Sequence, residues 1–186
     1  MNAVVSILDR HYYQMVEGIW AKLERELGVK AVYITPCPHL SYQVAQHFDV
    51  DQLELILQHI ALNSTPFQIR TTGLGIFTGH YPVLYIPVVR SLELTQFHQA
   101  LWSEVYKTSL GIQNFYRPEQ WVPHITLGFG DINKYNLPDV IRLLSERNFN
   151  WEITINNIAF IHDRGRKQEL RSCFDFNQSS FEAEWR

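Results

Sequence analysis

The sequence predicts an α+β protein built from two copies of one unit, packed as lobes around a shared cleft. Three observations predict it. Thr35-Pro36-Cys37-Pro38-His39-Leu40-Ser41 lines up with Gln120-Trp121-Val122-Pro123-His124-Ile125-Thr126 at an offset of 85 residues. The helical patterns that follow begin near Asp51 and Leu137, an offset of 86, and the next strands begin near Phe67 and Trp151, an offset of 84. A long helix precedes each motif. The 186 residues therefore read as one domain, 1–186, with an internal duplication of approximately 1–80 and 81–186.

Along the chain, residues 3–8 read as a short strand. Leu8, Tyr12, Met15, Val16, Ile19, Leu23 and Leu27 then follow helical spacing, with Gly28 as the stop. Val29–Thr35 is β-rich until Pro36-Cys37-Pro38 breaks it, and His39–Phe48 resumes as a strand. Asp51 with Glu54 resembles a capping box, which starts a helix through Leu62. Phe67–Phe77 is a strand containing glycines, and Val83–Val89 is a second, apolar on both faces. Ser91 caps a helix with the stripe Leu94, Phe97, Leu101, Val105. His124–Phe129 is a strand and Leu137–Arg147 a helix. Trp151–His162 pairs with Leu170–Phe176 across a turn at Asp163-Arg164-Gly165.

Composition narrows the function. Hydrophobic residues at 46% exclude a disordered chain. A net charge of −3 and a pI near 6.2 exclude the basic footprint of a duplex-DNA binder. The longest apolar runs are too short to cross a bilayer, and no leader pattern opens the chain. Cys37 and Cys173 have neither disulfide nor zinc spacing, so a cytoplasmic protein is expected.

With 8 His and 19 Ser plus Thr, about one His-x-Ser/Thr match is expected by chance. Two matches, each after Pro, each on a strand and each at the same place in a repeated unit, are a different matter. Alternate residues of a strand share a face, so His39 and Ser41 point together, as do His124 and Thr126, while Leu40 and Ile125 point into the cores. A two-fold arrangement of lobes brings the pairs to opposite walls of one cleft. Two imidazoles and two hydroxyls suit phosphodiester chemistry. One neutral histidine takes a proton from water or a hydroxyl while a charged one protonates the leaving ribose oxygen. The hydroxyls of Ser41 and Thr126 donate to the non-bridging phosphate oxygens. No metal or cofactor is required. The plain alternative, natural for a lone histidine, is a core side chain bonded to neighbouring backbone.

Pro38-His39-Leu40-Ser41 and Trp121-Val122-Pro123-His124-Ile125-Thr126-Leu127 resemble the twin signatures of the 2H phosphoesterase superfamily, in particular the bacterial 2′-5′ RNA ligase-like proteins. The resemblance extends to Gly73-Leu74-Gly75-Ile76-Phe77 and to the strand from Pro82 to Arg90. It implies two pseudo-symmetric lobes, each a mainly antiparallel sheet with helices outside, and cyclic phosphodiesterase or related RNA-end chemistry without metal. The family's catalytic pair carries over to His39 and His124, and its hydroxyl partners to Ser41 and Thr126. Ser41 stands where Thr is commoner, and Leu127-Gly128-Phe129 has no arginine.

Trp121, Tyr116, Phe77 and Phe129 are candidates to stack on a base, with Gln43 as a further cleft-lining candidate. Gly73-x-Gly75 followed by Gly79 leads into a strand rather than a helix, so a bend or bulge is expected there and not a dinucleotide fingerprint. Cys37 reads as a packed thiol, since its counterpart is Val122. His11, His47, His59, His80, His98 and His162 lack metal-ligand spacing and read as surface or satisfied side chains. Arg164, Arg166, Lys167 and Arg171 form a basic hairpin, either a solvated tip or a phosphate-backbone contact.

The expected protein is thus a metal-independent hydrolase opening 2′,3′-cyclic phosphates. Its substrate partner is an RNA 3′ end or a cyclic nucleotide, not a membrane or duplex DNA. The resemblance implies a 2′-phosphate product, but the residues do not set the regiochemistry. The alternatives are an RNA- or nucleotide-binding module without turnover, and 2′-5′ RNA ligation at the same site.

Overall fold

The computed structural model describes residues 1–165 and 167–177. Strand β1 (Asn2–Ile7) is buried along nearly its whole length, as a central strand must be. Asp9 caps helix α1 (Arg10–Leu27), its carboxylate accepting from the Tyr12 amide at 3.1 Å, and the helix buries Val16, Ile19, Trp20 and Leu23. The β-rich run 29–35 is not a strand. One Asp131 carboxylate oxygen accepts from the amides of Lys30 and Ala31 at 2.6 and 2.8 Å, and a 3₁₀ turn, Ala31–Ile34, starts there.

Strand β2 (His39–Phe48) leads into α2 (Val50–Leu62). The cap of α2 is Asp49, which accepts from the Gln52 amide, while Asp51 lies in the first turn. The expected strand 67–77 is two, β3 (Phe67–Arg70) and β4 (Gly75–Phe77), separated where Gly73 adopts a left-handed φ of 55°. Strand β5 (Val83–Pro87) and helix α3 (Leu92–Val105), capped by Ser91, follow. A short strand, β6 (Ser109–Ile112), has no clear apolar alternation and escapes sequence reading. Strand β7 (His124–Gly128) precedes α4 (Leu137–Leu144), which ends a turn earlier than expected. The run 151–162 divides at Asn156 into β8 (Glu152–Ile155) and β9 (Asn157–Asp163), and β10 (Gln168–Asp175) pairs with β9 alone. Asn157 secures the division, accepting from the Ile7 amide and donating to the Ile7 carbonyl at the end of β1.

The main sheet is antiparallel, in the order β10-β9-β1-β2-β7-β5-β4, with β6 on β2 beyond β7. Helices α2 and α3 pack on the β10-β9-β2 side, and α1 packs on β7 and α4. The two halves are therefore joined through one continuous sheet at the β2–β7 seam. There Leu40 lies opposite Ile125, 85 positions further on. The separate β3–β8 ribbon pairs Gln68 with Thr154 and Ile69 with Ile153. Shifting each residue by 85 and exchanging strands turns one of these pairs into the other, the register a two-fold axis through both seams produces.

Candidate active site

Both His-x-Ser/Thr stretches lie on this seam. Carried one residue each way from Leu40 and Ile125, the antiparallel register sets His39 opposite Thr126 and Ser41 opposite His124. Leu40 and Ile125 are completely buried, so alternation puts the other four side chains on the opposite face. The result is a four-cornered cluster with the two histidines on one diagonal. It sits on the sheet floor rather than on facing walls of a cleft, because β2 and β7 are hydrogen-bonded neighbours.

The two imidazoles are held alike. His39 Nδ1 lies 2.8 Å from the Cys37 carbonyl and His124 Nδ1 lies 2.7 Å from the Val122 carbonyl, each the carbonyl two residues back. A carbonyl only accepts, so each Nδ1 carries a proton and each Nε2 is left free for an incoming ligand. Both rings are half-buried, and that burial is the main cause of a lowered pKa in each. His39 is pushed down to about 4 by burial, opposed by its bond to the Cys37 carbonyl and assisted by the charge of His124. His124 is lowered by burial, opposed by the Val122 carbonyl. The charge of one histidine thus reaches the other.

A hollow of about 660 Å³ opens over the β7 side of the cluster, lined by His124, Thr126, Phe77, Tyr116 and Phe129. No Lys, Arg, Asp or Glu lines it, so a protonated histidine is the positive group it offers. Phe77 meets His124 edge-on, ring centres 5.0 Å apart, and stacks on Tyr85 at 4.1 Å. Tyr85, opposite Thr126 on β5, also touches His124 at 5.2 Å. This support was missed from sequence. Its signal was Gly75: a Cβ there would lie 2.3 Å from the Tyr85 ring, so only glycine leaves room for it. Exposed Phe115 and Gln120, on the same hollow, carried no sequence signal.

Two cleft-lining candidates lie elsewhere. Trp121 is 2% exposed, packed 3.8 Å from His98, and its indole N–H donates to the Ser41 carbonyl at 3.0 Å. It braces β2 from the core and cannot stack on a base. Gln43 is fully buried, donating to the Ser109 hydroxyl at 2.9 Å. The Tyr116 phenol, raised in pKa by burial, is hydrogen-bonded to the Ser41 side chain, which ties the 114–116 turn to β2. Burial pushes the Cys37 thiol up to about 12, so at neutral pH it is no nucleophile; its backbone carbonyl is what the site uses. Buried His98 bonds the Tyr42 carbonyl through Nε2. On the basic hairpin, Arg164 pairs with Glu169 and Arg171 with Glu54, at the far edge of the sheet from β4, and Arg166 lies outside the described residues.

A family model described as the 2′-5′ RNA ligase superfamily matches residues 13–167. The chain belongs to this superfamily. Two Bacillus cereus proteins, from strains B4264 and ATCC 14579, each carry the name "Putative phosphoesterase". Each is 27% identical to this member over 128 residues, 67% of this chain and 70% of the relative. Among solved structures, TT0787 of Thermus thermophilus superposes with a TM-score of 0.62 at 14% identity, covering 96% of this chain and 98% of that one. E. coli LigT, solved with 3′-AMP, gives 0.59 at 16% identity, covering 95% and 98%. These two show that the chain shares their fold. Among the described residues, no helix is long and apolar enough to cross a membrane. Nor does any cluster of three or more His, Cys, Asp or Glu occur there that could hold a metal ion.

Proposed function

We propose that this superfamily member opens 2′,3′-cyclic phosphates on an RNA end or a nucleotide, with His39 and His124 as base and acid. The observation that carries the reading is the matched pair of Nδ1–H to carbonyl bonds, which leaves two Nε2 atoms on one sheet face beside two hydroxyls. A module that only binds a nucleotide has no use for two such groups.

His39, with its pKa pushed to about 4, is neutral at working pH and is the base. Its Nε2 takes a proton from water as the water oxygen bonds to phosphorus. The bond from phosphorus to one ribose oxygen breaks, and that oxygen receives the proton of His124 Nε2. The Ser41 and Thr126 hydroxyls donate to the non-bridging oxygens, where negative charge is concentrated. His124 then holds one proton fewer and His39 one more, and exchange with solvent resets the pair. A ribose hydroxyl can take the place of water at the same base, which would give the ligation in the superfamily's name.

The test is incubation of EDTA-treated protein with adenosine 2′,3′-cyclic phosphate and with oligonucleotides ending in a cyclic phosphate, followed by ³¹P NMR. The reading expects ring opening to a phosphomonoester without added metal. Substrates left intact, or opened only after Mn²⁺ is restored, would overturn it.

A further inference from the structure

Neither motif strand runs straight through the histidine cluster. The register of β2 with β1 passes from Ser41 opposite Val5 to Gln43 opposite Val4, so Tyr42 is an extra residue and β2 carries a β-bulge there. Strand β7 does the same against β5: Thr126 lies opposite Tyr85 and Gly128 opposite Leu84, which leaves Leu127 as the extra residue. Tyr42 and Leu127 stand 85 positions apart, each directly after the hydroxyl residue of its motif, and both are completely buried. A bulge interrupts the hydrogen-bond ladder and re-aims the side chains beside it. Here the side chains beside it are Ser41 and Thr126. At each bulge a buried indole reaches the strand. Trp121 Nε1 donates to the Ser41 carbonyl at 3.0 Å, and Trp20 Nε1 donates to the Thr126 carbonyl at 3.2 Å. Each indole is held by a second ring, Trp121 by His98 with ring centres 3.8 Å apart and Trp20 by Tyr33 at 5.9 Å. Trp20 belongs to α1 and Trp121 to the segment before β7, so the repeat offset does not relate them. Two side chains from unlike places in the chain thus supply the same bond to carbonyls 85 positions apart.

We infer that Trp20 and Trp121 are positioning residues: each clamps the carbonyl beside a bulge and so aims one hydroxyl, Thr126 or Ser41, at the non-bridging phosphate oxygens. The inference rests on the cyclic phosphodiesterase reading of the histidine cluster. The direction of a Cα–Cβ bond is set by the backbone, and at a bulge the ladder that fixes the backbone is broken. The indole bond replaces that restraint from the core side, where neither tryptophan meets the substrate. A buried indole N–H requires an acceptor in any case, and a sheet carbonyl serves. What a merely structural bond does not explain is its repetition at the carbonyls of the two hydroxyl residues. Hydrogen bonds to the phosphate oxygens count most in the transition state, so lost aim lowers kcat more than it raises KM.

The experiment measures kcat and KM for adenosine 2′,3′-cyclic phosphate in W20F and W121F, which lose the N–H but keep an aromatic ring. Thermal melts confirm folding, and W102F, on α3 and bonded to neither carbonyl, is the control expected to match wild type. Each clamp variant should lose about 10-fold in kcat, with KM changed by less than about 2-fold. The deciding readout is a pair of double-mutant cycles. W121F should cost little once S41A has removed the hydroxyl it aims, yet keep its full cost in T126A, and W20F should show the reverse. A role in folding alone gives the same loss in both backgrounds. Equal losses of that kind, or unchanged kcat in folded W20F and W121F, overturn the inference while leaving the catalytic reading intact. Where a phenylalanine variant does not fold, biosynthetic replacement of tryptophan by benzothienylalanine, which keeps the fused rings without the donor, takes its place. Should wild type leave the substrate closed, the catalytic reading fails separately, and calorimetric binding of the intact cyclic nucleotide to the same variants decides. Binding weakened in the crossed pattern retains the clamps as devices that hold phosphate, and binding that is absent or indifferent to both indoles removes them.

Discussion

At the residue scale, the two histidines differ from the other six by a shared local device: the carbonyl two residues earlier fixes Nδ1 and frees Nε2. Replacing either His39 or His124 by Ala should lower kcat/KM by about 10²- to 10⁴-fold, because in the proposed reaction each supplies one proton transfer. If both act in one step, as proposed, the double variant should be only slightly slower than the slower single one in single-turnover assays. Full activity in either single variant would remove that residue from the mechanism. The residue scale is also where sequence reading reached furthest. The alternation of His39, Leu40 and Ser41 was enough to separate core from face. It failed for Trp121 and Gln43, because exposure of an aromatic or an amide depends on what packs over it. Trp121 is covered by His98 and Tyr42, and Gln43 is paired with Ser109 of a strand that was not foreseen.

At the element scale, the β4–β5 hairpin is a support for His124. Gly75→Ala places a methyl group in the Tyr85 ring, which packs against both Phe77 and His124. The ring must move, and kcat/KM should fall by about 10-fold or more through displaced His124, since misplacement of a catalytic group by about 1 Å can cost 10²-fold. Unchanged kinetics in a folded Gly75→Ala protein would show that the stack does not position the histidine. Helix α3 contributes His98, whose pKa is lowered to about 4 by burial, opposed by the Tyr42 carbonyl and assisted by the charge of Arg90. Unfolded, the same imidazole titrates near the ordinary 6.5, so between that pH and about 4 the unfolded chain binds more protons. Stability should therefore be lost as pH falls through this window, with His39 acting in the same direction. His98→Gln should make the urea midpoint less dependent on pH there, and an identical dependence in the variant would contradict this origin. The elements that were misread share a cause: each is set by a distant partner. Asp131 turns the 29–35 run into a 3₁₀ turn, and β3 draws β8 away from the strand that continues as β9.

For the whole molecule, the repeat offset of 85 reappears as strand register at both seams. The offset could be read from the motifs. That the two motif strands meet edge to edge on one sheet could not, because hydrogen bonding between β2 and β7 leaves no trace in either motif. This meeting couples the two imidazoles electrostatically, and the coupling separates their titrations: a charged His124 helps keep His39 neutral. The measurement that tests the two-histidine account most directly is the pH profile of kcat/KM for EDTA-treated wild type, H39A and H124A. The proposed mechanism requires His39 without its proton and His124 with one. The wild-type profile should therefore be a bell with its acid limb near 4 and its alkaline limb below 6.5, since His124 is lowered from that value. The acid limb should vanish from the residual activity of H39A, and the alkaline limb from that of H124A. A wild-type rate climbing steadily to about pH 9, as metal-bound hydroxide gives, or both limbs surviving in both variants, would contradict it.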